Sequence, residues 1–187
     1  GTSRDVAAYI AEPILGVGGI VTPPYEYFQT VKKILDKYGI LLVFDEVQTG
    51  LGRTGKMWGS ETYNIEPNVI TLAKALGNGW PISAVVASQQ IGDSFENGDH
   101  FSTWGAHPVM CAAACATIDY ILENRLWENA EKMGNLLMKR LKEMESKHNI
   151  IGDVRGKGLM IGVEIVRDRK TKEPAADQCK KIRELCA

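Results

Sequence analysis

The sequence predicts an α/β fold, and three observations carry that expectation. Two short apolar runs, Leu41-Leu42-Val43-Phe44 and Val69-Ile70-Thr71-Leu72, have the length and character of buried strands. Strand-like runs alternate with stretches whose apolar residues recur at helical spacing, the pattern of an α/β sheet. Each run also gives way to a charged residue and then to glycines: Asp45 before Gly50, and Lys74 before Gly77 and Gly79. Ligands of open α/β sheets bind at such carboxyl ends of strands.

Taken in order, Val6-Ala7-Ala8-Tyr9-Ile10 reads as a short buried strand that ends at Glu12-Pro13, followed by the loop Gly16-Val17-Gly18-Gly19. Pro23-Pro24 open a helix that runs to about Tyr38, with Phe28, Val31, Ile34, Leu35 and Tyr38 at helical spacing and Gly39 as terminator. Residues 41–45, 69–72 and 83–87 are the next strands. Pro108 starts a helix reaching about Glu123, and a second helix covers residues 127–148, where Met138 and Leu141 suit either a core or an interface. Residues 159–166 suggest a strand of a separate, smaller unit, and residues 177–187 the start of another helix. The boundary is expected near Asn124, giving units 1–124 and 125–187.

Composition narrows the function classes. A chain of 187 residues suits about one domain or one and a half. The net charge of −1 and pI of 6.4, with both signs interspersed, argue against nucleic acid or an anionic membrane as the main partner. No apolar run approaches the roughly 18 residues of a membrane span. The opening Gly1-Thr2-Ser3-Arg4 reads like the middle of a protein, so a targeting segment is not judged from it. Cys111, Cys115, Cys179 and Cys186 show neither disulfide nor zinc spacing. Cys111 and Cys115 fall in an alanine-rich helix and read as buried, inert thiols. A reducing compartment, the cytoplasm, is the expected location.

One segment imitates a nucleotide site. Gly50-Leu51-Gly52-Arg53-Thr54-Gly55-Lys56 matches a P-loop, and residues 41–46 match an apolar strand ending in Asp-Glu. Met57 stands where the magnesium-binding Ser or Thr belongs, and the loop follows the acidic strand too closely for a strand and helix of its own. A glycine-rich surface loop, or a loop beside a cofactor, explains the segment better.

Taken singly, Asp45 reads as a strand-end acid capping a turn and Lys74 as a lysine reaching solvent. Taken together, between glycines, they suit one cofactor. Pyridoxal 5'-phosphate (PLP) needs a lysine for its Schiff base and an acid for its ring nitrogen. Apolar and small neighbours around Lys74 would desolvate its amine and keep it available as a base.

The ordered set Asp45-Glu46-Val47-Gln48-Thr49-Gly50, Gly52-Arg53-Thr54-Gly55, and residues 67–79 around Lys74 resembles the class III (ω-type) aminotransferases. Ala11-Glu12-Pro13-Ile14, Ser102-Thr103-Trp104-Gly105 and Val154-Arg155-Gly156-Lys157-Gly158 fit the same family in the same order. The resemblance implies the fold type I (aspartate aminotransferase-like) architecture of PLP-dependent transferases. This chain would cover the second half of the large domain and the start of the small C-terminal domain, less than half of a family member. The phosphate cup, the ring-stacking aromatic and the carboxylate-binding arginine would lie outside it.

The resemblance also implies roles. Lys74 is the catalytic Schiff-base lysine and proton carrier, and Asp45 pairs with the ring nitrogen. Val47 packs on the ring, Gln48 bonds its 3-oxygen, and Thr103 binds the phosphate held by a partner subunit, so a homodimer or higher homo-oligomer shares its sites. Ser102 and Glu12 are candidate substrate-side residues. Arg155 is a weaker candidate for a substrate carboxylate, since the family's arginine belongs to a later segment. Val17 replaces a gating glutamate of the ornithine, acetylornithine and 4-aminobutyrate branches, which points toward the alanine–glyoxylate aminotransferase 2-like and amine–pyruvate branches. The family's Gly-Gly-Asn-Pro is here Gly105-Ala106-His107-Pro108, with His107 expected at a helix entry. The implied reaction moves an amino group from an amino acid or amine to a small 2-oxo acid such as pyruvate or glyoxylate. An aminomutase, racemase or phospho-lyase of the same fold, and a non-catalytic fragment without cofactor, are the alternatives.

Overall fold

Proline and glycine punctuate this chain, and the helices start and stop where they fall. The structure, a computed structural model, describes residues 5–186; the opening Gly1-Thr2-Ser3-Arg4 lies outside the described residues. Helix α1, Tyr25–Tyr38, begins after Pro24 and ends at Gly39, whose φ of 67° only glycine adopts without cost. Helix α3, Pro108–Glu123, takes its proline at the first position, with His107 as the residue before it.

Strands β1 (Ala8–Ala11), β2 (Leu41–Asp45), β3 (Val69–Leu72) and β4 (Ala84–Ala87) form one sheet in the order β1-β2-β3-β4. The first three are parallel, and β4 runs antiparallel to β3. Phe44 of β2, Phe28 of α1 and Tyr63 pack edge-to-face, with centroids 4.8 Å and 5.1 Å from that of Phe28, beside Leu35 and Leu42. Leu72, Leu76 and Ala114 bury the face where α3 meets the turn after β3.

A second, two-stranded sheet pairs β5 (Ile151–Lys157) with β6 (Met160–Ile165) around Gly158-Leu159. Helix α4, Leu126–Lys147, packs on this hairpin through Ala130 and Gly134. The short α2, Gln89–Gly92, follows β4, and α5, Ala176–Cys186, ends the described chain.

The hairpin docks on the glycine loop after β2. The Leu159 amide donates to the Arg53 carbonyl at 3.0 Å. A Cβ on Gly158 would lie 2.4 Å from the Thr54 carbonyl carbon, and one on Gly134 would lie 2.0 Å from the Gly158 oxygen. Backbone therefore rests on backbone here.

Four expectations need correction. Strand β1 is not buried: it lies at an edge, and Ala8 and Ile10 are exposed. Ile34 and Tyr38 are exposed, because α1 covers the sheet only through the Phe28–Leu35 face. Cys115 is exposed and Cys111 half-buried, since α3 buries the neighbouring Ala114–Ile121 face instead. Strand β5 was not expected as a strand. Its register shifts between Ile151 and Asp153, so its buried residues, Ile151 and Val154, stand three apart and break the period of two.

Candidate active site

Parallel pairing brings the two sequence-singled charges to one edge. Asp45 of β2 stands opposite Thr71 of β3, three residues before Lys74. Both side chains therefore leave adjacent strands at their carboxyl ends, where α/β sheets open to ligands.

The chain after β2 turns tightly. The Asp45 carboxylate accepts the Val47 amide at 3.0 Å, and the Glu46 carbonyl accepts the Gly50 amide at 2.9 Å. The turn presents Val47 and Gln48 to a cleft of about 710 Å³. Lys74, Leu51, Arg53 and Asn78 line the same cleft, and α4 and the start of β6 supply its far wall through Asn129, Ala130 and Met160.

The chain after β3 is built differently. Lys74 has a φ of 47°, a left-handed conformation that costs a non-glycine residue about 1–2 kcal/mol. It opens a short 3₁₀ turn, Lys74–Gly77, followed by Asn78 at φ 44° and Gly79 at φ 105°. Lys74 is exposed. The enclosure suggested by its small, apolar neighbours is therefore absent among the described residues. Leu72 and Leu76 turn into the core while the lysine stands at the open cleft.

Glu12 is tied to Gln48. Its Oε2 accepts the Gly16 amide at 2.8 Å and a long contact from the Gln48 amide nitrogen at 3.4 Å. A Cβ on Gly16 would fall 2.2 Å from that nitrogen, so the Gln48 amide group occupies the space beside Gly16 and would have to move for any larger residue there. Ser102 and Thr103 lie on an exposed stretch and do not line the cleft. His107 enters α3 and tilts toward Trp104, with centroids 6.1 Å apart. Val17 is 93% exposed at the tip of its loop.

Arg155 is occupied. Its guanidinium donates to the Gly19 carbonyl at 2.8 and 3.0 Å and pairs with Asp153 at 2.8 Å and Glu164 at 2.6 Å. Its hydrogen bond holds the Asp153 carboxyl below the usual carboxylate range. Its bonds join β5 to the 16–19 loop, an engagement that leaves its fork filled by protein groups.

Glu46 was not singled out by sequence, although it lies beside Asp45. It is 2% exposed. Its carboxylate accepts the Thr49 hydroxyl at 2.5 Å, the Gly59 amide at 2.8 Å and the Ser60 amide at 2.8 Å. Burial pushes its pKa up, against those donors, which pull it down.

Comparison with known proteins accords with this arrangement. The sequence-family profile described as "Aminotransferase class-III" matches residues 2–185. The chain is 54% identical to a leucine/methionine racemase of Thermococcus litoralis over 95% of its length and 40% of that protein. It is 43% identical to the mitochondrial alanine–glyoxylate aminotransferase 2 homolog 2 of Arabidopsis thaliana, over 94% of this chain and 37% of that protein. The fold superposes on an (S)-enantioselective ω-transaminase of Thermomicrobium roseum with a TM-score of 0.83 and 42% identity, covering 89% of this chain and 38% of that one. The chain thus spans about 40% or less of the length of these relatives.

Proposed function

The chain belongs to the class III aminotransferases, a PLP-dependent family of fold type I, and on that premise we propose that the whole protein transaminates. It would carry an amino group from an amino acid or amine to a small 2-oxo acid of the pyruvate or glyoxylate class. One observation carries the reading: Lys74 shares a cleft with Val47 and Gln48, beside the strand that ends in Asp45.

These residues fit PLP. When bound, the cofactor supplies an electron sink for charge developing at the substrate α-carbon. Lys74 would offer the amine that holds the cofactor's carbonyl carbon, and its Nζ would be the group that takes up the substrate α-proton. The Asp45 carboxylate would pair with the ring nitrogen and keep it protonated. Val47 would pack on the ring face, and the Gln48 amide, which also contacts Glu12, would donate to the ring oxygen. We place Thr103, with Ser102, against a neighbouring subunit's site in a homodimer, which suits their exposure here and their absence from this cleft. Division of the chain near Asn124 into large-domain and small-domain parts, and a cytoplasmic location, belong to the same proposal.

A second reading has its own support. The 54% identity to a leucine/methionine racemase favours removal and return of the α-proton with the amino group retained. Lys74 serves either outcome.

The full-length protein with PLP is expected to show a visible absorbance band that Lys74→Ala abolishes. A band unchanged in that variant defeats both readings. Incubating single amino-acid enantiomers with and without pyruvate or glyoxylate separates them. Amino loss that requires the oxo acid supports transamination, whereas loss of optical activity without any oxo acid supports racemisation.

A further inference from the structure

Two residues that face the cleft, Val47 and Gln48, sit between two that do not. Glu46 is 2% exposed and Thr49 is 0% exposed. The Thr49 hydroxyl donates to Glu46 Oε2, closing a ring around the cleft-facing pair. The Gly59 amide donates to the same oxygen and the Ser60 amide to the other, which moors the ring to the 3₁₀ turn Gly59–Tyr63. That turn ends in Tyr63, part of the aromatic core with Phe28 and Phe44. Its space is closed as well. A Cβ on Gly59 would stand 2.7 Å from Thr49 Cβ and 2.8 Å from Glu46 Oε2.

We propose that Glu46 is a positioning residue: its buried carboxylate sets where Val47 and Gln48 meet the cofactor, by tying both flanks of that pair to the core. The proposal rests on the PLP reading above. The chemistry of the donors selects a carboxylate. A hydroxyl and two amides all donate, and an ionised carboxylate accepts from every one of them. A glutamine would turn an NH₂ group toward one of those donors and leave it without a partner. The acid thus acts through its neighbours and touches no reacting atom.

The test uses the full-length protein, with Glu46→Gln compared against Gln48→Ala and against Phe28→Leu, a core change away from the cleft. Three quantities are read: amide hydrogen exchange of residues 47–50 and 59–60 in the apoprotein, the dissociation constant for PLP, and the pH at which the visible band titrates. Glu46→Gln is expected to speed exchange in both segments and to weaken PLP binding by about tenfold or more, the scale of one buried donor left unpaired. It is also expected to move the band's titration in the same direction as Gln48→Ala. Phe28→Leu is expected to lower the melting temperature and leave PLP affinity and band in place. If Glu46→Gln lowers only the melting temperature, as Phe28→Leu does, Glu46 is structural and the proposal falls. Should Glu46→Gln fail to fold, Thr49→Val removes one donor and keeps the acid. It is expected to shift the band less but in the same direction, and an unmoved band there also overturns the proposal. A wild-type protein without a Lys74-dependent band would instead bring down the PLP reading itself.

Discussion

The turn after β2 and the turn after β3 leave adjacent parallel strands at the same edge, yet they are built in opposite ways. The first is saturated: Glu46 holds three donors, Thr49 and Gly59 are buried, and the following loop carries the docked hairpin. The second is open: Lys74 is exposed, and three of its residues, Lys74, Asn78 and Gly79, have positive φ. The contrast teaches a division of labour. On the proposed reading, the group that would reach a ligand stands on a short, strained, solvent-facing turn. The precision of its surroundings comes from a neighbouring turn whose polar groups are used up internally.

Breaking the saturated side is expected to have the largest effect. Gly158→Ala places a methyl 2.4 Å from the Thr54 carbonyl carbon, in a residue whose φ is 53°. A loss of about 3 kcal/mol or more is expected, from overpacking against backbone that has no rotamer to yield. Denaturant unfolding of the full-length protein measures it, and a loss under 1 kcal/mol would mean that the hairpin is not seated on the 53–55 loop.

A gentler probe of the same side is pH. Glu46 has a raised pKa in the folded state, so the folded protein keeps a proton that the unfolded chain has released. Its contribution to stability is therefore present at low pH and declines as pH rises from 4.5, its ordinary value, through the raised one, and is level above that. The difference in unfolding free energy between wild type and Glu46→Gln, followed across that window, is expected to carry this slope. A difference independent of pH would remove the buried, titrating acid from the account. Asp153, held low by Arg155, acts with the opposite sign: its contribution is lost as pH falls through its lowered value.

The open side should respond least. Asn78→Gly at φ 44° relieves a conformation that asparagine already tolerates, so a change within about 0.5 kcal/mol is expected. A loss above 1 kcal/mol in the same unfolding measurement would show that this turn is supported as firmly as its neighbour.

What was legible in the sequence follows the same divide. Apolar runs bounded by proline and glycine announced α1, β2, β3 and α3, because local sterics and burial determine them with little help from distant partners. Asp45 and Lys74 were legible together, since each ends such a run. The support behind them was not. Glu46 looks like any acid beside another acid until Gly59 and Ser60, more than ten residues away, bring their amides to it. Strand β5 hid behind a bulge and glycines, and the exposure of Lys74 depends on how far the cleft walls stand apart. Arg155 was a weaker candidate for a substrate carboxylate in sequence, and its engagement was not legible because part of its fork is filled by the carbonyl of Gly19, far along the chain.

The seat of the hairpin on the glycine loop has a consequence for how this protein would respond to a systematic alanine scan. Such a scan assumes that alanine is the smaller residue and that a large effect marks a contact removed. At Gly134, Gly158 and Gly59 the specificity resides in atoms that are missing, so alanine is an enlargement. The scan would score these positions as strong contributors although their side chains contribute nothing, and the information it recovered would be a map of forbidden volume.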